Sequence, residues 1–177
     1  MSKILTTQLT GALQRIQKTE EEAIEETARL LAQATIGEGT IYFACFDEME
    51  GIIQNALSAV EPMANVQRWS EELQVTEADR VCIFTRHTAN PIAFKLAQRL
   101  AANFIPFSVI ASESYSEENE LCTLAYTYIS YKLKSGILPH PTNLGERIVT
   151  PHLLLALFVY ESIKLHYDEL LDDLEES

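Results

Sequence analysis

Apolar residues recur at three- and four-residue steps through the first 35 positions of the chain. Ile4, Leu5, Leu9, Leu13 and Ile16 make one stripe, and Ile24, Ala28 and Leu31 make a second. Thr19 followed three residues later by Glu22 has the form of a capping box, so the pattern predicts two helices within residues 1–35, closed by Gly37 and Gly39. The period then shortens. Thr40–Phe46 is a run of β-formers between turn residues and predicts a buried strand. Asp47 with Glu50 repeats the capping-box spacing and predicts a helix through Ile52, Ile53, Ala56 and Leu57. Val66–Trp69 is a second short strand, and Arg80–Phe84 a third that is nearly all apolar. Asn90-Pro91 is an N-cap with proline at the first helical position, opening a helix that ends near Asn103. Phe107–Ala111 is a further strand, and the alternation of Tyr126 and Tyr128 predicts an edge strand within Leu124–Leu133. Pro139–Gly145 is a loop by composition. Thr150-Pro151 repeats the cap-plus-proline signal before a long helix, apolar almost all round over Leu153–Tyr160 and hence expected to be central and buried. Asp168–Ser177 carries six acids and reads as a fraying tail.

Strands that are apolar on both faces and alternate with helices predict an α/β fold. The expected architecture is a three-layer α/β/α sandwich with a mainly parallel central sheet and flavodoxin-like layering. Two N-terminal helices and a long C-terminal helix complete a single domain over residues 1–177. A composition of 47% apolar and 22% charged residues fits such a domain and excludes wholesale disorder. With 26 acids against 13 lysines and arginines the net charge is −13, which repels a phosphate backbone and excludes nucleic acid as a partner. The longest strongly apolar run, Leu153–Tyr160, falls far short of the ~20 residues that span a bilayer. The segment MSKILTTQLTGALQ has no apolar core of a signal peptide, so a cytoplasmic location is expected. Cys45, Cys82 and Cys122 are widely spaced with no C-x-x-C, which fits reduced thiols rather than disulfides or zinc. No metal or cofactor is expected.

In an open parallel sheet a ligand binds beyond the carboxyl ends of the strands. Three loops there carry chemistry: Asp47-Glu48, Thr85–Asn90 and Ser112-Glu113-Ser114. The second sets the hydroxyls of Thr85 and Thr88 and the amide of Asn90 before a helix start, beside Arg86 and His87. Free N–H groups and the positive end of the helix dipole suit a phosphate dianion, although Thr88 and Asn90 equally suit simple helix capping.

The segment EADRVCIFTRHTANPIAFKLAQRLAANFIPFSVIAS resembles the sugar isomerase (SIS) family. That family places an aspartate before an apolar strand, then a serine- and threonine-rich loop, a helix and another strand. Asp79, Val81–Phe84, Thr85–Asn90, Ile92–Ala102 and Phe107–Ala111 follow that order. The resemblance implies that Thr85, Thr88 and Asn90, with Arg86 and His87 beside them, hold the phosphate of a small phosphosugar. It also implies pairing through flanking helices as a homodimer. The late segment ERIVTPHLLLAL is similar to the phosphoheptose isomerase branch at Arg147, Ile148 and His152. Two departures bear on the chemistry: Thr150 stands where that branch has a catalytic glutamate, and Leu157 where it has a second histidine. The first loop has Ala44–Glu48 instead of a glycine-rich turn, with two acids beside any phosphate.

An aldose–ketose isomerase needs a base beside the carbonyl. His152 and Glu48 are the candidates that remain, His152 being equally suited to a structural hydrogen bond. Asp47 has a capping role with Glu50, which leaves Glu48 to face the pocket and accept sugar hydroxyls. Three functions are consistent with this sequence: a phosphosugar isomerase, a non-catalytic phosphosugar sensor, and an oligomeric scaffold.

Overall fold

The computed structural model describes Met1–Ser177. Five parallel strands form the central sheet: β1 (Ile41–Cys45), β2 (Val66–Arg68), β3 (Arg80–Phe84), β4 (Phe107–Ala111) and β5 (Thr127–Ser130), in the spatial order β2-β1-β3-β4-β5. The register pairs Cys45 with Phe84, and Phe84 with Ile110, so the loops after these strands leave the sheet side by side. Five helices complete the layers: α1 (Ser2–Ile36), α2 (Glu50–Ser58), α3 (Pro91–Ala102), α4 (Glu120–Leu124) and α5 (His152–Glu175). Helices α1, α2 and α5 cover one face of the sheet, burying Phe43, Cys82, Phe84, Ile110 and Ile129. Helices α3 and α4 cover the other, over Ala44, Val81, Ile83, Val109 and Ala111. Alternate residues of each strand thus feed different cores, which is why the strands read as continuous apolar runs. The three-layer α/β/α sandwich with a parallel sheet is confirmed. No helix is long and apolar enough to cross a membrane.

Several local expectations are corrected. The N-terminal region is one 35-residue helix, not two. The Thr19 hydroxyl donates to the Arg15 carbonyl at 2.8 Å inside the helix, so it caps nothing, and the surrounding glutamates and lysine are good helix formers. Asp47 and Glu50 form no capping box either. Asp47 sits at φ 54° in a single 3-10 turn, Asp47–Met49, that leads directly into α2 without a side-chain cap. Glu50 instead pairs with Arg68.

Residues Pro139–Gly145 are not wholly loop. Leu138–Pro139 (β6) and Arg147–Ile148 (β7) form a small antiparallel pair. Gly136 lies against it, where a Cβ would meet the carbonyl carbon of Arg147 at 2.6 Å. Thr150 makes no cap: α5 starts after Pro151, with the His152 amide on the Thr150 carbonyl at 2.8 Å. Helix α5 is buried along one face only, through His152, Leu155, Ala156, Val159, Tyr160, Ile163 and Tyr167, while Leu154 and Leu165 are exposed. Through that face it packs into the main core with α1 and the sheet, as Tyr160 against Phe43 shows, and it stays helical through the acidic stretch to Glu175.

Candidate functional site

Strand order 2-1-3-4-5 reverses direction between β1 and β3, and the loops leaving those strands diverge there to form the crevice where doubly wound proteins bind ligands. Glu48 follows β1 and Arg86 follows β3. Their side chains meet across this crevice in a two-point ion pair, Arg86 Nε to Glu48 Oε1 at 3.0 Å and the second guanidinium nitrogen to Oε2. The guanidinium holds the Glu48 carboxyl below the usual carboxylate range, and the same bond raises Arg86. Both groups stay partly exposed, so the pair adds little stability, but it spans the crevice.

The loop after β3 is ordered by its own polar groups. The Thr85 hydroxyl donates to the His87 carbonyl at 3.0 Å. The Asn90 side chain accepts from the amides of Ile92 and Ala93, both at 3.0 Å, and so acts as the N-cap of α3. Asn119 donates its side-chain amide to the Thr88 hydroxyl at 2.8 Å. The free Thr88 amide is taken by Glu113 Oε2 at 3.2 Å, and Glu113 Oε1 lies 3.2 Å from His87 Nδ1. A carboxylate from the loop after β4 therefore takes the Thr88 amide, while Asn90 takes the first free amides of α3.

His152, at the first position of α5, comes from the far side of this cluster. Its ring lies edge-on to that of His87, with centroids 5.4 Å apart. The Tyr131 hydroxyl is 2.8 Å from His152 Nδ1 and 3.2 Å from the Arg86 carbonyl. A carbonyl only accepts, so Tyr131 donates to Arg86 and receives the Nδ1 proton of His152. The free lone pair is then on Nε2, which has no hydrogen-bond partner in the chain and is not sealed from solvent. Burial lowers the His152 pKa, against the opposing pull of the Glu48 carboxylate. His152 is thus neutral near pH 7, the form that accepts a proton. Burial also pushes the Tyr131 hydroxyl upward, keeping it protonated.

Residues far apart in sequence meet here: Glu48, Arg86, His87, Glu113, Tyr131 and His152. Sequence reasoning named Glu48, Arg86, His87 and His152, and noted the loop holding Glu113 without giving that residue a role. Tyr131 was missed. Its position directly after an edge strand is a weak signal, because its partner His152 is 21 residues away. Cys45 offers no nucleophile, since burial pushes its thiol up to about 12. No group of three His, Cys, Asp or Glu side chains is arranged to hold a metal ion.

Comparison with known proteins bears on the family and the fold. Residues 1–171 match a family model described as a domain of unknown function, DUF2529. The chain is 37% identical over 177 residues to the uncharacterized protein YwjG of Bacillus subtilis, covering 98% of this chain and 99% of that protein. Among solved structures, a candidate phosphosugar isomerase involved in capsule formation from Bacteroides fragilis superposes with a TM-score of 0.68 at 15% identity, covering 95% of this chain and 88% of its own. A candidate sugar-phosphate isomerase from Listeria monocytogenes gives 0.66 at 10% identity, covering 96% and 90%. The sugar isomerase domain of an RpiR transcription factor from Sphaerobacter thermophilus gives 0.61 at 12% identity, covering 99% and 98%. At these identities the likeness is one of fold. The chain therefore belongs to the DUF2529 family, and its fold is that of the sugar isomerase (SIS) domain.

Proposed function

We propose that this protein binds a phosphosugar at the carboxyl edge of its sheet and interconverts its aldose and ketose forms. The observation that carries this reading is the His87–His152 pair, 5.4 Å apart, backed by Glu113 and Tyr131. In that reaction the C–H bond beside the carbonyl breaks, its electron pair forms the double bond of an enediol, and the proton returns to the neighbouring carbon. His152 Nε2 takes and returns that proton, with Tyr131 holding the ring in the required tautomer. His87, polarised by Glu113, passes the oxygen proton between the two enediol hydroxyls. Loop Thr85–Asn90 lines the ligand beside them. Thr150 and Leu157 leave the heptose-type glutamate and second histidine unfilled, so His87 and His152 carry the chemistry instead. The Arg147-Ile148…His152 likeness makes a heptose phosphate the first substrate to try.

Deuterium exchange tests this directly. Sedoheptulose 7-phosphate and fructose 6-phosphate, incubated with the protein in D2O, are expected to gain deuterium beside the carbonyl by proton NMR. The exchange is expected to disappear in His152→Ala and His87→Ala. A phosphosugar that raises the melting temperature without any exchange identifies a sensor, a reading favoured by the two unfilled positions. Neither exchange nor a melting shift with any phosphosugar would sink both readings.

The same reading takes the protein as a cytoplasmic homodimer joined through α1. The first ten residues of that helix bury none of their side chains, and Ile4 is 44% exposed. Light scattering should give twice the 19.9 kDa chain mass. A monomer mass at micromolar concentration would end this claim.

A further inference from the structure

A cavity of about 440 Å³ opens between the N-terminal part of α1 and the segment that follows β5. Its lining includes Arg15 of α1, Ser114 after β4, Lys132 and Lys134 after β5, and Arg147 of β7. No acid lines it. Four of the chain's 13 lysines and arginines therefore share one cavity, leaving nine for the rest of a molecule with 26 acids. By contrast, a surface cavity of similar size beside β5 is lined by Glu22 and Glu26. A solvated basic patch explains cations on a convex face. It does not explain their convergence on a concavity in a chain that has so few.

The frame of this cavity is fixed. Arg147 donates to the Gly136 carbonyl at 2.6 Å and to the Ile137 carbonyl at 2.9 Å, holding the segment after β5 in place. Lys132 takes a left-handed backbone, φ 53°, a conformation that costs energy in a residue with a side chain. Its ammonium pairs with Glu20 at 3.2 Å. Counting Glu20 against Lys132, three positive charges remain, and Arg15 and Lys134 form no ion pair within the chain. Arg15, Lys134 and Arg147 are exposed, and like charges gathered around one cavity repel one another unless an anion joins them.

We propose that this cavity is a binding site for a phosphate group or a comparable dianion. Its volume falls within the range of small-molecule pockets. Ser114, Lys132 and Leu155 follow Glu113, Tyr131 and His152 by one, one and three positions, so the occupant sits beside the histidine cluster. A phosphosugar seated here would hold its phosphate among Arg15, Lys134 and Arg147. The anion site stands on the cavity alone; the identity of its ligand as a phosphosugar rests on the function proposed above.

The test is a titration of isotope-labelled protein with inorganic phosphate, and separately with fructose 6-phosphate, followed by amide NMR. Phosphate is expected to shift residues 132–137 and 147. Its affinity should fall at least about tenfold, roughly 1.4 kcal/mol, in the double variant Arg15→Gln, Lys134→Gln. Lys95→Gln, which removes an exposed charge of α3 outside both the cavity and the loop, should bind phosphate as the parent does. Both variants lie at positions whose folding can be verified from the same spectra. Phosphate shifts confined to residues 85–93, or an affinity unchanged in the double variant, would overturn the site. Saturating phosphate that shifts nothing would do the same. If phosphate binds the cavity and fructose 6-phosphate does not, the anion site holds and the phosphosugar reading fails. If fructose 6-phosphate binds the parent and the double variant equally, the reading holds and this site fails.

Discussion

Tyr131 decides which nitrogen of His152 carries the proton, and that one hydroxyl links the site's chemistry to its stability. Tyr131→Phe leaves the Arg86 carbonyl and the His152 Nδ1 proton without their shared partner. It should lower unfolding free energy by about 1–3 kcal/mol in denaturant melts. It should also mix the His152 tautomers, visible in the ring nitrogen chemical shifts. A packing role alone would leave those shifts unchanged. The pH dependence follows from two depressed groups. Burial lowers the folded His152 pKa below the ordinary value of about 6.5, so the unfolded chain takes up a proton that the folded protein refuses. Stability should therefore start to fall as pH drops through 6.5. Glu48, held low by Arg86, adds a second loss that begins nearer 4.5 and completes below its folded pKa. In His152→Asn the first of these losses should vanish between pH 7 and 5, while the second remains. A stability profile in that window identical to the parent's would remove His152 from this account. Arg86, His87 and Glu113 also face the ring, so the slope should be read against His87→Asn as a control.

Among the elements, α1 and α3 show how a capping signature succeeds or fails. Asn90 caps α3 through two amide bonds, and Asn90→Ala should cost about 1 kcal/mol in a thermal or denaturant melt. Thr19 has an equally plausible sequence pattern, yet it lies exposed in the middle of a continuous helix. Thr19→Ala should therefore be neutral or stabilising by about 0.5 kcal/mol, the difference in helix propensity. A loss of 1 kcal/mol or more would mean that the helix does break there. What separates the two sites is the chain that precedes them. Asn90 follows a loop pinned by Thr85 and His87, with Pro91 unable to continue a helix backward. Thr19 follows Arg15–Lys18, which extend the helix without interruption.

The whole molecule is acidic, and four of its 13 lysines and arginines line a single cavity. At −13, self-repulsion opposes the compact state, and salt screens it over about 10 Å at 0.1 M. Adding sodium chloride from low ionic strength should thus raise the melting temperature, as followed by circular dichroism. A fall would show that the ion pairs Glu48–Arg86 and Glu20–Lys132 outweigh the net repulsion.

Strand and helix identities were written into the local sequence. Apolar β-rich runs gave β1, β3 and β4 almost to the residue, and Asn90-Pro91 gave the start of α3. These features depend on side-chain type and period, which neighbours in sequence set by themselves. The parallel sheet followed from them, because strands separated by helices can pair in only a few ways. The site did not follow. Glu48 was free to face a ligand until Arg86, 38 residues later, was brought across the crevice to bind it. Thr88 was an open anion donor until Glu113 reached its amide. His152 was a lone histidine until α5 set it against Tyr131 and His87. The four cations of the basic cavity come from α1, the segment after β5 and β7, with no motif in common. Side-chain type and spacing settle which elements form. Which charges are spent on one another and which stay free depends on distances between residues remote in sequence, and only the folded chain sets those distances.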